Sequence, residues 1–141
     1  MGSRWLRFLW SPKTLGNRGE AEAVRFLKRR GYKIIARSHR SPIGELDIIA
    51  VDLRDPRGPT VVFVEVKTRS NHNAGHPAEA VDADKKRRLT NLAIGYRRRF
   101  QLLQTPARFD VVAITWPPEN KKPKIEHYIN AFESATSEWQ D

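Results

Sequence analysis

The stretch Val61-Val62-Phe63-Val64-Glu65-Val66-Lys67-Thr68-Arg69 constrains this chain most, because an apolar, β-branched run is interrupted by a carboxylate and an amine two residues apart. Such runs favour strands, and in a strand residues i and i+2 share a face. Glu65, Lys67 and Arg69 therefore point one way, and Val62, Val64 and Val66 the other. A second run, Leu46-Asp47-Ile48-Ile49-Ala50-Val51, precedes it, and the intervening Leu53 to Pro59 is dense in turn formers. That pattern predicts a β-hairpin. A loop centred near Pro56 sets Asp47 opposite Glu65, Glu45 opposite Lys67, Ile49 opposite Phe63 and Val51 opposite Val61. On the other face, Leu46, Ile48 and Ala50 join the three valines in an apolar surface.

Directly opposed Cβ atoms stand about 4.5–5.5 Å apart. Two carboxylates that close repel unless one is protonated or a cation lies between them. Asp47, Glu65 and the carbonyl of Val66 make an oxygen-rich set suited to Mg2+ or Mn2+. The structural alternative is a salt-bridge cluster, Glu45 with Lys67 and Asp47 with an arginine. Buried ion pairs stabilise poorly compared with apolar packing, which argues against charge placed here for stability alone.

A chain of 141 residues with 39% hydrophobic content can bury one ordinary core, so one domain is expected over residues 15–133. It is flanked by a basic, aromatic arm over residues 1–14 and a polar tail over 134–141. The arm interleaves Trp5, Phe8 and Trp10 with Arg4 and Arg7, which suits base stacking, contact with a membrane surface, packing on the domain or contact with a second copy. It is too short and too charged for a signal peptide or a membrane span. Lys and Arg number 26 against 16 Asp and Glu, a formal net charge of +10, which favours a polyanionic partner, nucleic acid before membrane. The lack of cysteine excludes disulfides, thiolate metal sites and thiol nucleophiles, and fits a reducing cytoplasm.

Around the hairpin, Ala21, Ala23, Val24, Phe26 and Leu27 predict a helix capped near Asn17 and ended by Gly31. At about 100° per residue, Glu20 falls on the inward face made by Ala23, Val24 and Leu27. A short strand follows over Tyr32 to Ser38. Beyond Arg69 lies a polar loop in which Gly75 and Pro77 oppose a helix that would align His72 and His76 as metal ligands. The longest helix is expected over residues 79–101, with Val81, Leu89, Leu92, Ala93, Tyr96 and Phe100 inside and a basic face including Lys86, Arg87, Arg97 and Arg98 outside. Its start, Lys85-Lys86-Arg87-Arg88, follows the suspected site and is placed to grip phosphates, as is Arg69 on the charged strand face. Arg108 to Trp116 forms another apolar strand, and Lys124 to Phe132 a last edge strand. Asp110 at the strand's entry fits a carboxylate paired with an arginine better than a site residue.

The order α-β-β-β-α-β, with an inward Glu20, Asp47 on the second strand and Glu65-x-Lys67 on the third, resembles the PD-(D/E)xK restriction-endonuclease-like superfamily. More closely, the chain is similar to the YraN-like family of bacterial nuclease-like proteins, through five segments in order: Gly19-Glu20 with Gly31-Tyr32, Gly44 to Ala50, Phe63 to Arg69, Pro77 to Val81 with Lys85 and Arg88-Leu89, and Arg108 to Val112. The resemblance implies an α/β, three-layer core with a mixed sheet flanked by helices. It implies that Asp47 and Glu65 hold Mg2+ or Mn2+, that Lys67 orients and helps deprotonate the attacking water, and that Glu20 assists the metal. The superfamily's Pro-Asp is here Leu46-Asp47, which keeps the ligand and alters the local turn. The implied activity is endonucleolytic hydrolysis of structured or branched DNA, with DNA favoured over RNA and a homodimer suiting a symmetric substrate. The alternative is a non-catalytic nucleic-acid-binding protein that uses the same fold as a partner in DNA or RNA processing.

Overall fold

A computed structural model describes residues 15–70, 81–117 and 122–135. The arm over residues 1–14, the loop bearing His72 and His76, and the tail from residue 136 lie outside the described residues. The elements run α1 (Leu15–Arg29), β1 (Lys33–Ser41), β2 (Gly44–Asp52), β3 (Thr60–Arg69), α2 (Ala83–Arg99), β4 (Ala107–Thr115) and β5 (Lys124–Phe132). The strands form one sheet in the order β1-β2-β3-β4-β5, in which only the β3–β4 pair is parallel. A parallel neighbour requires a crossover connection, and α2 supplies it.

Helix α1 forms because Ala23, Val24 and Leu27 recur at helical spacing and all are buried against the sheet. It ends as expected at Gly31, where φ is +90°. There the Tyr32 N–H donates to the Leu27 carbonyl and the Gly31 N–H to the Lys28 carbonyl, each at 3.0 Å, the pairing of a Schellman cap. Asn17 lies inside the helix rather than capping it, since the helical turn already begins at Leu15. Helix α2 begins later than the periodicity suggests, because the Asp82 carboxylate accepts the Lys85 N–H at 2.8 Å and fixes the N-cap there.

The two helices cover opposite faces. Leu89, Leu92, Ala93 and Tyr96 of α2 pack with Ile49, Val61, Phe63, Phe109 and Val111. Ala23, Val24 and Leu27 of α1 pack with Ile48, Ala50, Val62, Val64, Val112 and Ile114. This is the three-layer α/β core of restriction-endonuclease-like proteins, with β3 central and every residue of β4 buried. The hairpin register places Ile49 opposite Phe63 and Val51 opposite Val61, as the turn composition predicts.

Two features depart from the sequence reading. Leu46 clusters with Ile49 on the α2 side, not with Ile48, so the two-residue alternation of β2 breaks at Asp47. Across from the break, between the Arg37–Ile48 and His39–Leu46 pairs, Ser38 takes φ +47°, a region that L-residues rarely occupy. Arg97, expected on the outer basic face, is fully buried. Its guanidinium donates to the carbonyls of Leu102, Leu103 and Thr105, holding the turn that leads into β4.

A buried polar network pins the end of the sheet where β2 finishes and β4 begins. The Arg108 guanidinium donates to Asp110, Asp52, Asp55 and the Tyr32 hydroxyl at 2.8–3.2 Å, using all five of its N–H groups. Asp110, wholly buried, also accepts from the Asn130 N–H at 2.9 Å and meets His127 Nε2 at 2.8 Å. Burial alone would raise the Asp110 carboxyl, but the bonds from His127 and Arg108 outweigh it and hold the group below its usual range. Asp110 is thus the arginine-paired carboxylate that its position suggested. Removing only Arg108 strands several acidic groups in a dry site, so Arg108→Met should cost about 3–5 kcal/mol in urea unfolding.

Helix α1 meets the sheet closely at Gly19, where an added Cβ would stand 2.0 Å from Thr68 Oγ1. Helix propensity alone predicts that Gly19→Ala stabilises by about 1 kcal/mol, whereas overpacking costs about 1–3 kcal/mol. We expect the clash to win, with net destabilisation of about 1–2 kcal/mol in denaturant titration and partial recovery when Thr68→Ala is added. A more stable Gly19→Ala variant would contradict the contact.

Candidate active site

The candidate site forms at the other end of the sheet, where β2 and β3 part. The ladder between them stops at the Ile48–Val64 pair. Beyond it the Val66 N–H donates to Asp47 Oδ2 at 2.9 Å, so a side-chain carboxylate takes the donor that a strand neighbour would otherwise satisfy. Asp47 and Glu65 therefore do not continue the ladder as directly opposed residues, and neither do Glu45 and Lys67.

The break in alternation also redirects Glu45. With Leu46 turned toward α2, Glu45 stands on the α1 side, and one carboxylate oxygen each from Glu20, Glu45 and Asp47 lie within 4.8 Å of one another. Glu20 is buried on α1, as its inward phase predicts. Its Oε1 accepts from Ser38 Oγ at 2.7 Å and stands 4.0 Å from Arg37 Nε. Ser38 in its strained conformation therefore orients Glu20, and no local pattern around it signals that contact. Glu45 also accepts from Arg40 Nε at 3.1 Å. Its i, i+2 spacing from Asp47 in Gly44-Glu45-Leu46-Asp47 was the available signal for their grouping.

Glu65 sits on the α2 side of β3, buried, with Oε1 2.6 Å from Lys85 Nζ and 3.7 Å from Lys67 Nζ. Among these carboxylates Asp47 is the one whose proton affinity is shifted. Burial first, then the charges of Glu65 and Glu20, push the Asp47 carboxyl up to about 7, against the pull of the Val66 N–H and Lys85. Burial and the neighbouring Lys85 lower the Lys67 amine, against Glu65 and Asp47. Burial works against charge on Lys85 too, but its contact with Glu65 outweighs that and raises it.

The remaining basic candidates surround this centre. Arg69 is half-buried at the end of β3, with Nε 3.4 Å from Thr115 Oγ1. The run at the start of α2 fans out: Lys85 points into the site, Lys86 lies 5.8 Å from the Phe132 ring, Arg87 pairs with Asp84 at 3.0 Å, and Arg88 is exposed. Arg18 stacks on Trp116 at 4.5 Å, one helical position before Gly19. A cleft of about 490 Å3 near Arg57, Arg108 and Asn130 lies at the opposite end of the sheet, away from these carboxylates.

The donor set fits a hard divalent cation: three carboxylates from α1 and β2 converge, and one of them stays ionised near neutrality only with difficulty. Among the described residues no helix is long and apolar enough to cross a membrane. Comparison with known proteins places this geometry in a family. A UPF0102 protein of Rhodopirellula baltica is 47% identical over 119 residues, covering 84% of this chain and 70% of that protein. One from Geotalea uraniireducens is 47% identical over 123 residues, 87% of this chain and 92% of that protein. Another, from Caldicellulosiruptor saccharolyticus, is 42% identical over 122 residues, 86% and 99% of the two chains. The profile described as "Uncharacterised protein family UPF0102" matches residues 19–114, a span running from Gly19 through the site to the end of β4, and the chain belongs to that family.

Proposed function

We propose that this protein is a Mg2+- or Mn2+-dependent endonuclease that hydrolyses phosphodiester bonds in structured or branched DNA. The observation that carries the reading is the convergence of Glu20, Glu45 and Asp47 beside a buried Glu65–Lys67 pair. The resemblance implies metal binding by Asp47 and Glu65; Glu20 and Glu45 bring further carboxylate oxygens within reach of Asp47, and Glu65 is also flanked by Lys67 and Lys85. A divalent ion bound there would supply Lewis-acid activation of water and charge neutralisation at a phosphate.

The chain's own residues supply the rest. Lys67, partly buried beside Glu65, is suited to orient the attacking water and to offset charge that develops on the phosphate. Glu65 holds Lys67 within 3.7 Å and so fixes the direction of that amine. Arg37 and Arg40, both exposed beside the carboxylates, with Arg69 and Arg88, form a basic rim that would position the phosphate backbone. The net charge of +10 supports the same polyanionic partner through long-range steering.

Labelled duplex, single-stranded, flap and four-way-junction substrates, in DNA and RNA, test this reading with Mg2+ or Mn2+. Cleavage of at least one DNA substrate is expected, falling about 100-fold or more in Lys67→Ala and in Glu65→Ala. Cleavage that persists in both variants would overturn the site. Salt-sensitive binding with no cleavage would favour the non-catalytic binding protein.

Asp47 provides a second test. Its carboxyl rises from 3.8 to about 7 on folding, so the folded state binds that proton more tightly than the unfolded chain. Stability from this group is fully present below about pH 4 and is lost as pH rises towards 7. The loss is at most about 4 kcal/mol, and less after solvent screening. In chelator, thermal melts should show Asp47→Asn gaining on wild type as pH rises from 4 to 7.5; added Mn2+ should close that gap by stabilising wild type alone. A constant difference across pH would exclude Asp47 as the strained acid.

A further inference from the structure

Three consecutive residues at the start of α1 each meet a different part of the sheet end that carries the carboxylates. The Glu20 carboxylate lies within reach of Glu45 and Asp47 on β2, and Gly19 packs on Thr68 of β3. Arg18 lies over the ring of Trp116, just past β4, with its guanidinium carbon 4.5 Å from the ring centroid. Trp116 is itself held: its backbone N–H donates to the Arg69 carbonyl at 2.9 Å, and its side chain packs on the α1-side core. Arg25, Arg37, Arg40, Arg57 and Arg87 each face a carboxylate. Arg18 is exposed and, among the described residues, its guanidinium has no acceptor. The first turn of α1 holds no acidic residue either, so nothing on the helix offsets the dipole that disfavours a cation there.

We infer that Arg18, stacked on Trp116, is a phosphate clamp that grips one phosphodiester of a DNA strand reaching the carboxylates from the α1 and β4 side. The inference deepens the nuclease reading of the site and rests on it. Stacking occupies the face of a guanidinium and leaves its edge free, five N–H donors in a fixed fork that matches two phosphate oxygens. A ring that fixes the guanidinium beforehand also removes part of the entropy lost when a long side chain is ordered on binding. Position carries the rest of the argument. Arg18 and Glu20 are two residues apart, inside one helical turn of about 5.4 Å. In the sheet order, Arg37 and Arg40 on β1 flank the carboxylates on one side, and Arg18 at the end of β4 flanks them on the other. A strand held at both flanks is laid across the carboxylates between them. Arg18 is thus a binding residue, and Trp116 a positioning residue that acts through it.

The test is fluorescence anisotropy of labelled duplex and single-stranded DNA across a salt series, in chelator so that metal-dependent cleavage cannot intervene, with thermal melts of each variant. Arg18→Met should weaken binding about tenfold and lower the slope of log affinity against log salt by about one, the mark of one lost phosphate contact. Arg18→Lys should keep the slope and lose about threefold, because an ammonium neither forks nor stacks flat. Trp116→Leu should resemble Arg18→Lys, Trp116→Tyr should recover wild-type affinity, and Trp116→Leu should add nothing in an Arg18→Met background. Arg30 is the matched control: it too is exposed and stacks on a ring, that of Phe26 at 4.5 Å, but at the other end of α1. It lies about 18 Å along the helix from Arg18, beyond the screening length at about 0.1 M salt, so Arg30→Met should change affinity by less than about twofold. Wild-type affinity and slope in Arg18→Met would overturn the inference and leave the nuclease reading standing, as would an equal loss in Arg30→Met, which would reduce the effect to net charge. Loss confined to Arg18→Met, in a protein that cleaves none of the substrates above, would keep the clamp and sink the nuclease. If Trp116→Leu fails to melt cooperatively, Trp116→Tyr and the Arg18 variants carry the comparison.

Discussion

The bond from the Val66 N–H to the Asp47 carboxylate is the constraint on which the rest of the site depends. A strand interior satisfies its backbone through its neighbour, and a ladder that stops leaves a buried donor to be paired. Asp47 pairs it at 2.9 Å, and in doing so ends the β2–β3 ladder, breaks the alternation of β2 and turns Leu46 toward α2. Glu45 is carried to the α1 side as a result. The carboxylate is also held in place before any ligand arrives, which is the kind of preorganisation a metal centre requires.

The two polar clusters at the ends of the sheet differ in how completely their charges are paired. Around Arg108, every N–H of the guanidinium has an acceptor, Asp110 accepts from three groups, and the buried acid lies below its usual range. In that cluster the guanidinium and the Asp110 carboxylate offset each other. Around Asp47, carboxylates outnumber the inward-facing cations, and the mismatch pushes one acid up to about 7. Proteins tolerate such an imbalance where a ligand restores it, since perturbed titration concentrates at functional positions. Paired charges thus stabilise one end of the sheet, while at the other an excess of carboxylates is the feature on which the proposed metal-dependent reading rests.

Much of this was legible in the residues. The hairpin register followed from the turn-rich Leu53 to Pro59 and the flanking alternation, and the inward Glu20 followed from its phase against Ala23, Val24 and Leu27. Gly31 and the edge strand from Lys124 were read from local chemistry that tertiary packing did not override. What escaped was whatever depended on side chains replacing backbone. The Asp47 acceptor, the Asp82 cap and the strained Ser38 each involve a polar side chain whose partner is fixed only after the strands and helices meet. Arg97 escaped for a related reason: in sequence it belongs to a run of three arginines after Tyr96, and only the turn it ties down shows that it points inward.

The contact between Gly19 and Thr68 links stability to the site directly. A helix carrying any larger residue at that position would stand farther from β3, since Thr68 Oγ1 already fills the space a Cβ would need. Glu20 is the next residue, so each increment of helix displacement withdraws its carboxylate from Asp47 and Glu45. Coulomb energy between such groups varies inversely with separation and with local dielectric, and a gap wide enough for water would change both at once. The absence of a side chain at Gly19 thus sets how close the Glu20 carboxylate stands to Asp47 and Glu45 on β2, and Glu20 adds to the burial and the Glu65 charge that hold the Asp47 proton above its ordinary range.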